Sequence, residues 1–403
     1  MTTTTRTPDP ARSIPRLSAS VAAHRQLAAH PSVTPLPTSS VHFDLPPALE
    51  ASEPPEARGR GRDDVRLLVS VGTEPPVHAR FDDLPDFLEP DDLMVVNTSA
   101  TMAASLDAAE PSGHRLEIHL STRLPSGLWL VEVRQPDQRA TRPDFDDHAD
   151  TTLGLPGGAS VRILARYRGS NRLWLAVFDT GESTLDEVLA RHGRPIRYGH
   201  VPHDWPIEAY QTVFGAIPGS AEMPSASRPF TPEVVARLEA KGIRPAPIVL
   251  HTGVSSLEGS ERPYPEWFEV PASTASRINQ VRAAGGRVVA IGTTVVRAVE
   301  SSWRPDGLAH ARSGWTDLVV TPVRGVHLVD GLLTGWHEPE ASHLLMLEAI
   351  AGPDALSLAY DAAVANRYLW HEFGDTHLIL PGRSGSGGAA RAVDTSATAG
   401  SPG

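Results

Sequence analysis

Hydrophobic residues along the chain fall into runs whose period changes twice. Between His42 and Leu106, short apolar runs at Val65-Arg66-Leu67-Leu68-Val69 and Leu93-Met94-Val95-Val96 sit between turn residues and predict strands buried on both faces. From Leu116 to about Asp179 the runs shorten and alternate: Leu116-Glu117-Ile118-His119-Leu120, Leu128-Trp129-Leu130-Val131-Glu132-Val133, Val161-Arg162-Ile163-Leu164-Ala165 and Arg172-Leu173-Trp174-Leu175-Ala176-Val177. Pro/Gly turns separate them, so this stretch predicts a small β-barrel or sandwich inserted into an α/β protein. After Ser183 helical patterns return. Thr231-Pro232-Glu233 opens a helix with a hydroxyl cap, a proline at the first position and an early acid, and Gly242 ends it. Pro247-Ile248-Val249-Leu250 is a buried strand, Thr274 to Ala284 a helix, and Pro339 to Ala351 a helix closed by Gly352. No internal repeat is present.

The most informative local pattern runs from Gly285 to Glu300. Arg287 to Ile291 is a β-branched run after a glycine pair, and Gly292-Thr293-Thr294 then turns directly into a helix. A hydroxyl N-cap there leaves first-turn amides free to face a carboxylate, a phosphate or an oxyanion. The competing reading is a plain strand–turn–helix connection in which Thr293 or Thr294 only caps.

Composition narrows the class. The 403 residues are 40% hydrophobic, enough for a large core, and no run approaches the ~18 apolar residues of a membrane span. With no cysteine there are no disulfides, thiolate metal sites or cysteine nucleophile, which fits a cytoplasmic protein. Residues 1–40 hold four arginines against one acid and no apolar centre; they have the composition of a transit peptide but read as a disordered extension, and 382–403 as a disordered tail. Residues 41–106 and 183–381 then form a discontinuous α/β core domain, with 107–182 as the inserted β-barrel domain. Lys241 is the only lysine among 36 basic residues, and the net charge is −12. A nucleic acid would therefore have to dock on a local arginine patch. Arg58-Gly59-Arg60-Gly61-Arg62 and Arg191-His192-Gly193-Arg194 with Arg197 are the candidate patches, with ordinary solvated surface as the other reading.

Short words recur in a fixed order: Phe43-Asp44-Leu45-Pro46, Leu93-Met94-Val95-Val96-Asn97, Glu117, Tyr210-Gln211-Thr212-Val213-Phe214, Pro218-Gly219, Pro224-Ser225-Ala226 and Leu250-His251-Thr252-Gly253. They continue with Glu269-Val270-Pro271, Ala290-Ile291-Gly292-Thr293-Thr294-Val295-Val296-Arg297, Val329-Asp330-Gly331-Leu332-Leu333-Thr334, His337 and Phe373-Gly374-Asp375. In these words and their order, from Val41 to Pro381, the chain resembles the queuosine-pathway S-adenosylmethionine:tRNA ribosyltransferase-isomerase family. The resemblance implies an α/β domain with an inserted β-barrel. It also implies transfer of the ribosyl part of S-adenosylmethionine to the aminomethyl arm of a deazaguanine base in tRNA, with isomerisation to epoxyqueuosine and release of adenine and methionine. S-adenosylmethionine is then a co-substrate, tRNA the partner, and no metal is required. The protein is expected to be a monomer or small homo-oligomer with no membrane contact.

Such chemistry needs a base beside the sulfonium, an acid near the adenine and fixed partners for carboxylate and hydroxyl groups. His251, at the end of a buried strand, His337 and Glu266 are the proton-transfer candidates; each is otherwise a hydrogen-bonded structural residue. Gly292, Thr293, Thr294, Arg297, Asn97 and Ser225 are the candidates for holding S-adenosylmethionine, although Arg297 could equally pair with Glu300. Tyr210, Gln211, Thr212 and Asp375 are the candidate acceptor contacts, with Tyr210 and Phe214 as core aromatics on the other reading. The chain also departs from the family pattern. Ser227-Arg228-Pro229-Phe230 stands for Gly-Leu-His-Phe, Thr98-Ser99-Ala100 stands for Asn-Thr-Arg with Ser105 in place of a second arginine, and Val254-Ser255-Ser256-Leu257 replaces a glycine-rich word. These departures keep open a paralogue that uses S-adenosylmethionine on a small-molecule acceptor or cleaves it without tRNA, and a non-catalytic binding descendant. A metal-dependent hydrolase is the reading from another class. His337-Glu338-Pro339-Glu340 with His343, and His371-Glu372 with Asp375 and His377, have the residue types of a metal site, but Pro339 separates His337 from the helix carrying His343.

Overall fold

A computed structural model describes residues 36–137, 140–167, 170–254 and 263–382. Its main sheet has nine strands in the order Arg312–Thr316, Glu266–Val270, Ala246–Leu250, Leu93–Asn97, Val288–Ile291, Gly331–Gly335, Thr376–Leu380, Arg66–Val71, Val77–Arg80. The four strands from Ala246–Leu250 to Gly331–Gly335 run parallel, and antiparallel strands flank them. Both faces of the sheet are covered, which is why its central strands read as unbroken apolar runs. Leu93, Val95, Val288 and Ala290 point into one core, packed under the helices Ala272–Ala283, Thr293–Ser301, His343–Ala351 and Pro353–Ala365. Their neighbours Met94, Val96, Val289 and Ile291 point into the other, with Leu84, Val234 and Leu238.

A second, seven-stranded sheet is antiparallel throughout and carries its own core, including Leu106, Ile118, Val131, Ile163 and Trp174. Its order is Leu173–Asp179, Ser160–Arg166, Thr152–Gly154, Ser105–Ala109, Arg115–Arg123, Trp129–Pro136, Thr141–Pro143, and the Leu173–Asp179 strand also pairs with Trp129–Pro136. The molecule is thus a mixed α/β protein with several sheets. A short parallel pair, Ser99–Thr101 with Ile217–Ser220, lies where the chain passes between the two large sheets.

Several local expectations shift. The Pro232–Ala240 helix is capped as expected, Thr231 accepting from the Val234 amide at 3.3 Å. The helix expected from Pro339 begins only at His343, because Glu340 takes a left-handed backbone with φ 63° and turns the chain first. Gly352, at φ 81°, ends it as expected and starts a further helix, Pro353–Ala365, that was not expected from the sequence. The strand expected from Arg287 starts at Val288, since the Arg287 guanidinium turns to Asp92. Residue Ser39 is already fixed: its hydroxyl, with the amide and hydroxyl of Ser40, donates to the Glu348 carboxylate at 2.8–3.1 Å. Residues 1–35 of the expected extension, the tail from residue 383, and Ser255, Ser256 and Leu257 lie outside the described residues.

Candidate active site

Parallel strands deliver their carboxyl ends to one edge, and there the structure opens a cavity of about 1190 Å³. Thr252 and Gly253 follow one central strand into its wall, Gly292–Thr294 follow the next, and Thr334–His337 a third. The inserted sheet closes one side through Ser121, and the approach is tight: a Cβ at Gly253 would lie 2.7 Å from the Ser121 hydroxyl. Eight of the thirteen residues named from the sequence as catalytic, co-substrate or acceptor candidates line this cavity, namely Tyr210, Ser225, Glu266, Gly292, Thr293, Thr294, Arg297 and His337.

Gly292, with φ 97°, is the N-cap of the Thr293–Ser301 helix, and no side chain caps it. The expected threonine cap is therefore corrected: Thr293 and Thr294 are the first two helical residues. Their hydroxyls and the first-turn amides border the cavity, a donor set suited to an anion. One turn on, the buried Arg297 pairs with Glu266 and donates to the carbonyls of Thr316 and Leu318 at 3.2 Å each. Glu266 is held from its other oxygen by the Gly253 amide at 2.9 Å. Arg297 does not pair with Glu300, which instead accepts from Arg324 and from the amides of His327, Leu328 and Val329.

His337 shares a 2.9 Å hydrogen bond with the Thr334 hydroxyl, and its ring stacks on His343 with centroids 4.6 Å apart. The proline between them has not kept the two histidines apart, because the turn at Glu340 folds the chain back. Burial, and then the neighbouring imidazoles of His343, His371 and His377, hold the His337 pKa well below the usual value, so the ring is neutral at pH 7. Tyr210 packs against Phe373, and burial raises the pKa of its phenol.

Five singled-out residues do not line the cavity. The His251 imidazole shares a 2.8 Å hydrogen bond with the Ser99 hydroxyl and lies so close to Gly219 that a Cβ there would sit 2.4 Å from it; burial lowers its pKa. Asn97 is a clamp: its side chain exchanges hydrogen bonds with the Leu250 backbone and donates to the Thr294 hydroxyl at 3.4 Å, tying two strands to the helix start. Gln211 spends both ends of its amide on the Thr101 backbone, accepting at 3.2 Å and donating at 2.8 Å. Thr212 is buried beside it. Asp375 accepts from the Arg66 backbone and guanidinium and from the Leu369 amide, so it builds a turn. The side chains of His251, Asn97, Gln211 and Asp375 satisfy local polar groups, whereas the buried Thr212 hydroxyl has no partner among the described residues; sequence words did not distinguish these fates from ligand contact.

Two of the departures from the family words, Arg228 and Ser105, have partners within the protein, while the buried Ser227 hydroxyl has none among the described residues. Arg228 is buried, forks onto Glu56 at 2.9 and 3.1 Å and donates to the Ala209 carbonyl. Ser105 donates to Glu117, which also accepts from His119 and from Arg194. Arg197 pairs with Asp204, and Arg62 with Glu56, so these arginines of the basic runs are engaged within the protein. Sequence reasoning missed His200 and treated His371-Glu372 only as possible metal ligands; all three line the cavity. Among the described residues, no group of three or more His, Asp or Glu has an arrangement that could hold a metal ion.

Comparison with known proteins finds similarity over most of the chain. The profile of a family described as "Queuosine biosynthesis protein" matches residues 38–379. The S-adenosylmethionine:tRNA ribosyltransferase-isomerase of Thermotoga maritima is 33% identical over 352 residues, 85% of this chain and 99% of that protein. The protein of the same name from Methylobacterium sp. (strain 4-46) is 35% identical over 357 residues, covering 84% of this chain and 97% of its own length. A crystal structure of the S-adenosylmethionine tRNA ribosyltransferase from Thermotoga maritima aligns over 84% of this chain and 99% of its own, at 31% identity and a TM-score of 0.47.

Proposed function

The chain belongs to the queuosine biosynthesis protein family, and from that premise we propose that it transfers and isomerises the ribosyl group of S-adenosylmethionine onto the aminomethyl-deazaguanine base of tRNA, forming epoxyqueuosine and releasing adenine and methionine. The observation that carries this reading is near full-length similarity to enzymes of that name, with 99% of the Thermotoga protein covered. The cavity supports it. Amide and hydroxyl donors at the Thr293–Ser301 helix start suit the methionine carboxylate of the co-substrate. Ser225 and Thr334 add hydroxyls for the ribose, and the Arg297–Glu266 pair fixes the wall between them. His337, neutral and inside the cavity, is our choice for accepting the proton beside the sulfonium; His251 then acts through Ser99 as a support of the strand end.

We also read residues 107–182 as an inserted domain whose strands close into a small barrel, a reading supported by the pairing of Leu173–Asp179 with Trp129–Pro136. The core domain is then 41–106 with 183–381. We place the reaction in the cytoplasm, in a monomer or small homo-oligomer; none of the described helices is long and apolar enough to cross a membrane. The chemistry calls for no metal.

The test is incubation with S-adenosylmethionine, with and without tRNA carrying the aminomethyl base, while adenine and methionine are measured. Release of both only when the modified tRNA is present is the expected result. Release without tRNA, or no release at all, overturns the reading.

A further inference from the structure

A second group of titratable side chains lines the same cavity and has no role in the reading above. His200 shares a 2.9 Å hydrogen bond with Glu372, and its ring stacks on His371 with centroids 4.0 Å apart and planes 19° from parallel. The Nε2 of His371 is buried with no hydrogen-bond partner, and the side chain as a whole is only 10% exposed. The nearest carboxylate oxygen, on Glu338, is 3.8 Å away, too far for a hydrogen bond. Glu50 and Glu340 line the cavity as well.

This nitrogen is held in place at a cost. His371 has φ 70°, a left-handed backbone that histidine rarely adopts. The turn that imposes it is tight: Gly374 donates to the His371 carbonyl, and a Cβ at Gly374 would lie 2.4 Å from the Leu369 carbonyl oxygen. Asp375 closes the turn by accepting from the Leu369 amide at 2.7 Å. The residue singled out from the sequence as an acceptor contact thus presents the one that faces the cavity.

Burial, and then the charge of His200, push the His371 pKa down to about 4, so its ring is neutral and one nitrogen carries a lone pair. A buried ring nitrogen without a partner costs free energy that a ligand can recover, and in the tautomer protonated at Nδ1 this nitrogen is an acceptor. The donor that fits is a cation, because carboxylates flank the site and Glu338 stands 3.8 Å from the same nitrogen, a gap one ammonium group can bridge. We propose that His371 and Glu338, backed by the His200–Glu372 pair, form a docking site for the protonated primary amine of the acceptor. This rests on the proposed reaction only for the identity of that acceptor.

Calorimetric titration of the full chain with the free aminomethyl-deazaguanine base and with its uncharged nitrile analogue tests the site. The wild type should prefer the amine by about tenfold or more. His371→Phe keeps the ring stack and removes the acceptor nitrogen; it should weaken the amine about tenfold and leave the nitrile unchanged. His371→Asn, which tolerates the left-handed backbone and restores an acceptor oxygen, should keep part of the preference and guards against misfolding of the phenylalanine variant. Equal affinity for both bases in the wild type, or equal weakening of both by His371→Phe, overturns the proposal and leaves a site filled by water alone. A preserved amine preference without tRNA-dependent adenine release sinks the reaction and keeps the site, and the converse sinks the site alone.

Discussion

Arg297 and Glu266 meet at the cavity wall with side chains only 9% and 13% exposed, and each also has a backbone partner outside the pair. Removing one charge from such a pair leaves the other buried and uncompensated, which costs more than the pair itself contributes. Glu266→Gln should therefore lower stability by about 3 kcal/mol, read as a lower urea midpoint at unchanged slope. A loss below about 1 kcal/mol would show that water reaches the guanidinium. The same residues show what sequence could and could not reach. Arg297 was recognisable as a site candidate from its word and Glu266 from its position, yet their pairing joins a strand and a helix start that are 31 residues apart, and nothing local encodes it. Gln211 and Asp375 carry equally suggestive words, but the Gln211 amide ties down the distant Thr101 backbone and Asp375 closes a turn through the Leu369 amide.

At the scale of elements, the inserted sheet is fastened to the returning chain by charge as well as by packing. Ser105 and Arg194 exchange backbone hydrogen bonds, and the Arg194 guanidinium reaches Asp107 at 2.8 Å and Glu117 at 3.2 Å. Burial disfavours the Glu117 carboxylate, but hydrogen bonds from His119 and Ser105 and the charge of Arg194 outweigh it and bring its pKa down to about 2. A depressed carboxyl pKa stabilises the fold fully above the unfolded value of 4.5 and loses that contribution as pH falls toward 2. Glu117→Gln should thus cost about 3 kcal/mol at pH 7, and the gap to the wild type should close between pH 4.5 and 2 in thermal melts. A gap independent of pH would assign the loss to packing. Strands and the helix stop at Gly352 were legible here, since period two, β-branched runs and a terminal glycine are local; the start of that helix was not, because a left-handed Glu340 delays it to His343, and the further helix Pro353–Ala365 was not expected at all.

Across the whole molecule, a net charge of −12 opposes tRNA, and Arg62, Arg194 and Arg197 are already paired within the protein. Arg58 and Arg60 are exposed and form no ion pair among the described residues, which makes them the phosphate contacts to test. Replacing both by serine should weaken tRNA binding regardless of the modified base and reduce the slope of log affinity against log salt by about two. An unchanged slope would move the phosphate contacts elsewhere. The sequence by itself determined the class of sheet, the change of period that marks the second sheet, the strand-to-helix turn at Gly292 and the family, because each is written in consecutive residues. Tertiary structure alone decided which side chains share the cavity. Parallel strands bring Thr252, Thr293 and Thr334 to one edge across more than 80 residues of chain, and whether a polar side chain there faces ligand or backbone depends on which partner reaches it first in space.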